Sequence, residues 1–181
     1  MNIWHAGADG VLTFNFFPAE RDERLSQLGS AETLKGLDKI YGIDRMVAET
    51  FEGDLRPGLV APNRLPIELQ VGSWVAAHMP VGEDIVANTP EGKAAHTRLR
   101  LQVSNLVQGE EVTVKLNGHA LGVGVPDKPL SAEPSTAWLE WQPGAELVQE
   151  GANLIEIRLN GGTTAETPSA VEALYLTVQY Q

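Results

Sequence analysis

The sequence contains no cysteine, which excludes disulfide bonds and thiolate metal sites. It has no apolar run near the roughly 20 residues that a membrane-spanning helix needs, so we expect no membrane partner. Basic residues are scarce, because 13 lysines and arginines are outnumbered by 24 acids and the net charge is −11. An acidic chain repels phosphate backbones, which argues against nucleic-acid binding.

Apolar residues make up 43% of the 181 residues and 18 are glycines, a composition typical of a turn-rich globular fold. After position 56, turn formers separate short segments in which apolar and polar residues alternate. Seven or eight such segments with no intervening helix predict an antiparallel β-sandwich over residues 56–181. The alternation indicates strands at 67–71, 74–79, 99–103, 112–116, 137–141, 155–159 and 174–180.

The first 55 residues have a different pattern. An apolar run at 11–17 is typical of a buried parallel strand, and helical patterns follow at 19–28 and 31–41, with Gly42 as a candidate C-cap. One strand with two helices cannot satisfy its backbone hydrogen bonds alone. We therefore expect residues 1–55 to be the remnant of another domain.

Several stretches resemble a known family. VTVKLNGHAL (112–121), AWLEWQPGAELVQEGANLIEIRLN (137–160) and ALYLTVQY (173–180) resemble the galactose-binding-like jelly-roll domains that follow catalytic barrels in bacterial glycoside hydrolases. GADGVLTFNFF (7–17) and LSQLGSAETLKGLDKIYG (25–42) resemble the last strand and helices of a (β/α)8 barrel. The resemblance implies a longer, secreted or periplasmic parent whose missing catalytic barrel is the partner of the sandwich.

Catalysis by this chain alone is not expected. Glycoside hydrolysis needs two carboxylates on either side of the scissile bond. Glu20 is the one acid near the end of the predicted barrel strand, and its position is that of a solvated acid in the first turn of a helix. We therefore predict no catalytic residue here, although a full-length parent would be a glycoside hydrolase.

The tryptophans suggest a sugar-binding site. Sugar rings stack on exposed aromatic faces, and the strand alternation directs Trp141 into the core and Trp138 outward. Trp138 is therefore the candidate platform for a glycan, with Glu140, Arg158 and Arg100 as candidate partners for sugar hydroxyls. The alternative is that the outward Trp138 packs against the barrel of the parent.

No cofactor is expected, and no histidine pair has the spacing of a zinc site. Jelly rolls of this superfamily often hold a structural calcium ion, for which Glu83, Asp84 and Asp127 are weak candidates; the alternative is that they are solvated loop acids. Two functions stay open. The first is a non-catalytic accessory module that gives structural support and binds glycan weakly. The second is a protein-protein interaction or assembly module without sugar binding, including a homo-oligomer formed through the N-terminal segment.

Overall fold

The computed structural model describes residues 1–9, 27, 29–44, 65–161 and 167–181, which form two β-sheets packed face to face. Sheet A contains β1 (Lys39–Asp44), β2 (Ile67–Glu68), β4 (Ala95–Leu106), β7 (Val125–Pro126), β8 (Ser135–Trp141) and β10 (Ala170–Tyr180). Sheet B contains β3 (Trp74–Val81), β5 (Glu111–Leu116), β6 (His119–Val123) and β9 (Gly151–Asn160). The described residues also include helix α1 (Asn2–His5) and the 3₁₀ turns Glu32–Leu34 and Ala145–Leu147.

Every pair of neighbouring strands in the two sheets is antiparallel. The order is β1-β10-β4-β8-β7 in sheet A, where β2 also pairs with β10, and β3-β9-β5-β6 in sheet B. The predicted antiparallel sandwich is confirmed, and each predicted alternating segment lies within a strand or contains one. No helix in the described part of the chain reaches the length and apolar character of a membrane span.

Strand alternation builds the core between the sheets. On β4, Leu99, Leu101 and Val103 are buried, while Arg100 and Gln102 between them face outward. The inward residues of sheet B, such as Ile155 and Ile157, belong to the same apolar cluster. Fully burying such a side chain stabilises the fold by about 1.5–3 kcal/mol. The energy of the core therefore specifies which side chains each strand presents to solvent.

The connection from sheet B to sheet A crosses over Trp141. Asn117 and Gly118 have φ angles of 50° and 83°, the positive values of a tight hairpin turn between β5 and β6. The chain then reaches Gly124, where any Cβ would clash with the Trp141 indole. The indole N–H of Trp141 donates to the carbonyl of Gly122 at 3.1 Å. The predicted inward orientation of Trp141 is thus confirmed, and its one polar atom is satisfied.

The predicted helix at 31–41 is wrong. Its first part forms only the 3₁₀ turn Glu32–Leu34, and Gly36 then has a φ of 66°, which a helix cannot continue. The following residues form β1, whose partners on β10 run from Val178 to Ala173. Pairing with a strand at the far end of the chain overrides the local helical pattern. Residues 39–44, which we expected to belong to the barrel remnant (1–55), therefore form a strand of sheet A.

The other predicted N-terminal elements cannot be compared with the structure. The strand at 11–17 lies outside the described residues, and so does the helix at 19–28 except for Gln27. The barrel origin of this segment stays a prediction.

A buried carboxylate joins β1 to the loop after β3. The side chain of Glu83 is fully buried, and its carboxylate lies 3.0 Å from the ammonium of Lys39. The hydroxyl of Tyr41 donates to the same carboxylate at 2.9 Å. The side-chain amide of Asn88 is a third donor at 3.5 Å. A buried charge needs such partners, so this network fixes the position of β1 at the edge of sheet A.

Replacing Lys39 by methionine tests this network. Lys39→Met leaves the Glu83 charge buried without its cation, and we expect a loss of about 3–5 kcal/mol in the free energy of unfolding. The matched control is Lys35→Met, because Lys35 pairs with Glu32 at 2.7 Å on the surface, where ion pairs contribute less than about 1 kcal/mol. Urea denaturation of both variants measures the difference. Equal losses would show that the buried pair does not fix β1.

Alkaline pH gives a second test. Burial and the Glu83 carboxylate raise the pKa of Tyr41 well above 10. The pKa of Tyr180 is raised to about 12, with burial as the largest cause. Above pH 10 the unfolded chain loses these protons while the folded chain keeps them. The two tyrosines therefore do not affect the free energy of unfolding below pH 10, and they lower it as the pH rises above 10. Each tyrosine contributes a slope of about 1.4 kcal/mol per pH unit.

Tyr180→Phe should remove one tyrosine's share of this slope between its unfolded pKa of 10.0 and its folded pKa of about 12. The Tyr180 hydroxyl has no hydrogen-bond partner among the described residues, so the variant should keep its stability at pH 8. Denaturant titrations at several pH values measure both quantities. If the free energies of unfolding of wild type and Tyr180→Phe fell in parallel above pH 10, the prediction would be wrong.

Candidate functional site

The outward face of sheet A carries a cluster of aromatic and charged side chains. Antiparallel pairing sets Tyr175 on β10 opposite Arg100 on β4, and Arg100 opposite Glu140 on β8. Trp138 precedes Glu140 by two residues and therefore shares its face. Arg98 precedes Arg100 by two residues and shares its face of β4, and the Arg98 Nε lies 3.3 Å from the Glu140 carboxylate. We call these five residues the sheet A cluster.

The two aromatic members of the cluster contact each other, and Trp138 also contacts Arg100. The guanidinium carbon of Arg100 lies 4.8 Å from the Trp138 ring centroid. The rings of Trp138 and Tyr175 are 5.6 Å apart and tilted by 31°. Such contacts are each worth about 0.5–1.5 kcal/mol. Gly42 on β1 leaves room for this arrangement, because a Cβ there would lie 2.6 Å from the Tyr175 ring.

The charges around Trp138 are balanced. Glu140 lies between two arginines, with Arg98 Nε at 3.3 Å and Arg100 Nε at 3.9 Å. Asp127, in the segment after β7, accepts the backbone N–H of Trp138 at 3.0 Å through its carboxylate. Its own N–H donates to the Trp138 carbonyl at 2.8 Å. Two acids and two arginines therefore surround the tryptophan with no net charge.

An open cleft of about 480 Å³ borders the cluster. A second cleft of about 430 Å³ adjoins it, and the side chain of Gln142 lines both. The first cleft is lined by Arg100, Leu121, Val123, Val125, Pro126, Asp127, Trp138, Glu140, Trp141 and Gln142. Its mixed apolar and hydrogen-bonding lining is typical of small-molecule sites.

Three of the four predicted site residues lie together. Trp138, Glu140 and Arg100 all line the first cleft, but Arg158 does not. Arg158 is on β9, which belongs to sheet B, and its guanidinium carbon lies 5.9 Å from the ring centroid of Trp74. Alternation gives the face of a residue within its strand, whereas the sheet to which the strand belongs depends on pairing. The sequence therefore could not separate Arg158 from the others.

Tyr175 is a member of the cluster that the sequence did not single out. The sequence did contain one signal, the alternation on β10, which directs Tyr175 outward between the buried Leu174 and Leu176. Its proximity to Trp138 depends on β4 lying between β10 and β8. That strand order is not visible in the alternation.

Each of the three calcium candidates has another partner in the structure, and a calcium site stays a prediction. Glu83 is already occupied by Lys39 and Tyr41, and Asp84 accepts the backbone N–H of Ala87 at 2.9 Å. Asp127 is bound to the backbone of β8. In the described ranges, no group of three or more histidine or acidic side chains is arranged to hold a metal ion. Calcium needs six to eight oxygen ligands, and these three acids do not supply a shared set.

Comparisons with known proteins give structural neighbours only. No protein-family model matches the chain, and no curated protein matches it either. One similar solved structure is a β-porphyranase of glycoside hydrolase family 86 from the human gut bacterium Bacteroides plebeius, with 19% identity, a TM-score of 0.46 and coverage of 64% of this chain. Another is a GH86 protein in complex with neoagarooctaose, with 11% identity, a TM-score of 0.49 and coverage of 80% of this chain.

A third neighbour is the CBM36-1 domain of a multidomain xylanase from the hindgut metagenome of Trinervitermes trinervoides. It has 12% identity and a TM-score of 0.38, and the match covers 78% of this chain and 95% of that domain. By contrast, this chain spans 19% of the length of each of the two GH86 proteins.

Proposed function

We propose that this chain is a non-catalytic accessory module that binds an uncharged polysaccharide weakly through the Trp138 cleft. The observation that carries the proposal is the half-buried Trp138 ring at the wall of an open cleft, with charged hydrogen-bonding groups beside it. The C–H faces of sugar rings pack on aromatic rings, and carboxylates, guanidinium groups and amides bond to sugar hydroxyls. Trp138 and its neighbours offer both kinds of contact.

The balanced charges support an uncharged ligand. Glu140 and Asp127 offset Arg98 and Arg100, so the cleft gives neither an anion nor a cation a strong electrostatic advantage. The cleft is open to solvent, so a bound sugar keeps much of its hydration. Both features favour weak binding of neutral sugar residues.

We extend the proposal to the context of the module. The resemblance of residues 7–17 to the last strand of a barrel motivates a partnership with a glycoside-hydrolase-like catalytic domain, which the sandwich would support structurally. An in-frame barrel encoded upstream of the Met1 codon would establish that partnership. The absence of one from the genomic sequence would refute it.

A second candidate function is assembly without sugar. Val123 and Val125, which line the cleft, are 47% and 68% exposed, and Ile40 on the edge strand β1 is 70% exposed. Exposed apolar side chains on edge strands are typical of protein contacts. This observation favours a partner protein with an apolar contact surface, or a second copy of the chain.

Trp138→Ala tests sugar binding. We expect wild-type protein to be retarded in native gels that contain at least one of arabinoxylan, galactomannan, β-glucan or agarose. The variant should bind that polymer about fivefold more weakly or worse, since an aromatic contact is worth about 1 kcal/mol. Trp74→Ala is the control, because it removes a partly exposed tryptophan from sheet B.

The two variants should have similar denaturation midpoints and circular dichroism spectra, and no protein should release reducing ends. Failure of the wild type to bind any neutral polymer would refute the proposal. Equal binding by wild type and Trp138→Ala would do the same.

Light scattering tests the assembly function. If Val123, Val125 and Ile40 mediate self-association, the molar mass should exceed 19.5 kDa at high concentration and return to it in Ile40→Ser or Val125→Ser. Each substitution replaces an exposed apolar side chain and should leave the fold intact. A constant monomer mass across concentrations would argue against self-assembly.

A further inference from the structure

A second aromatic site lies on the opposite side of the sandwich. Trp74, the first residue of β3, is 39% exposed on the outward face of sheet B. The register sets it opposite Arg158 on β9, which in turn faces Thr113 on β5. Lys115 follows two residues after Thr113 and shares its face. Trp74, Lys115 and Arg158 are called the Trp74 surface below.

Two cations border the Trp74 ring. The ammonium of Lys115 lies 4.2 Å from the ring centroid, and the guanidinium carbon of Arg158 lies 5.9 Å from it. Both distances are within the range of cation–π attraction, which holds the cations beside the ring. An aromatic ring with two positive groups near it is thereby formed on paired strands.

Arg158 is a cation without an acidic partner among the described residues. Glu156 lies 3.9 Å from the Lys115 ammonium, and Glu111 shares the outward face of β5, two residues before Thr113. Within the described residues, Arg158 forms no ion pair, and its buried Nε has no hydrogen-bond partner. The carboxylate of a ligand can supply that partner. Beside Trp138, by contrast, both arginines already lie close to Glu140.

We propose that the Trp74 surface binds a uronic acid residue of an acidic polysaccharide. The sugar ring packs on Trp74, and its carboxylate lies between Arg158 and Lys115. The planar fork of a guanidinium matches the two oxygens of a carboxylate, so Arg158 is the residue that selects the acid. The surface and the Trp138 cleft lie on outer faces of different sheets, so neither needs the other in order to bind.

Affinity electrophoresis of the full chain in gels containing polygalacturonate tests the proposal, with EDTA present so that calcium does not bridge the polymer. We expect wild type to be retarded at low ionic strength, and less so as salt screens the charges. Trp74→Ala and Arg158→Gln should each bind about tenfold more weakly. Arg158→Lys should lie between wild type and Arg158→Gln, because it keeps the charge and loses the fork.

Two controls separate this site from other effects. Lys128→Gln removes one exposed positive charge elsewhere and should bind polygalacturonate within twofold of wild type. Trp138→Ala should also bind it normally, so loss of neutral-polymer binding and loss of uronate binding are scored independently. Matching denaturation midpoints confirm that the variants are folded.

The proposal is overturned if Arg158→Gln and Lys128→Gln bind polygalacturonate equally well. It is also overturned if wild type binds carboxyl-reduced polygalacturonate as tightly as the acid form. Retardation by dextran sulfate with none by polygalacturonate would likewise reject a uronate site, since it would show a preference for sulfate.

Discussion

The burial of one face of each strand is the constraint on which the other features of this protein depend. Leu101 is fully buried between the sheets, and the adjacent Arg100 must therefore face solvent beside Trp138. The same holds on β9, where buried Ile157 sets the outward position of Arg158. A register shift of one residue would bury the arginines and expose the core. The energy of the core thus holds both outward surfaces in place.

This dependence explains how much the sequence could predict. Period-two alternation is local, so it predicted seven of the ten described strands, the inward Trp141 and the outward Trp138, but not β1, β6 or β7. Strand order is set by pairing between distant segments, and no local pattern records it. Arg158 was consequently grouped with Trp138, although β9 lies in sheet B. The first residues of β1, up to Tyr41, were predicted to be helical, because the local pattern does not record their partner β10 at the other end of the chain.

The charged residues have different physical roles according to their burial. Glu83 is enclosed, and its pairing with Lys39 and Tyr41 positions an edge strand. Glu140 is partly exposed between two arginines, where solvent screening weakens each pair and leaves oxygen lone pairs available for other donors. A loop acid considered from sequence as a calcium ligand is therefore structural. Glu140, on an exposed strand face, is suited to contact a ligand.

The arrangement around Trp138 favours binding over hydrolysis. A glycosidase needs one carboxyl group free to donate a proton and a second free to attack or to activate water. Here Asp127 accepts the backbone N–H of Trp138, and Glu140 lies beside the cations of Arg98 and Arg100. Both carboxylates are thus acceptors that their neighbours already order, which reduces the entropy lost when a ligand binds. Ordered acceptors beside an aromatic ring in an open cleft are therefore suited to the proposed contact with a sugar.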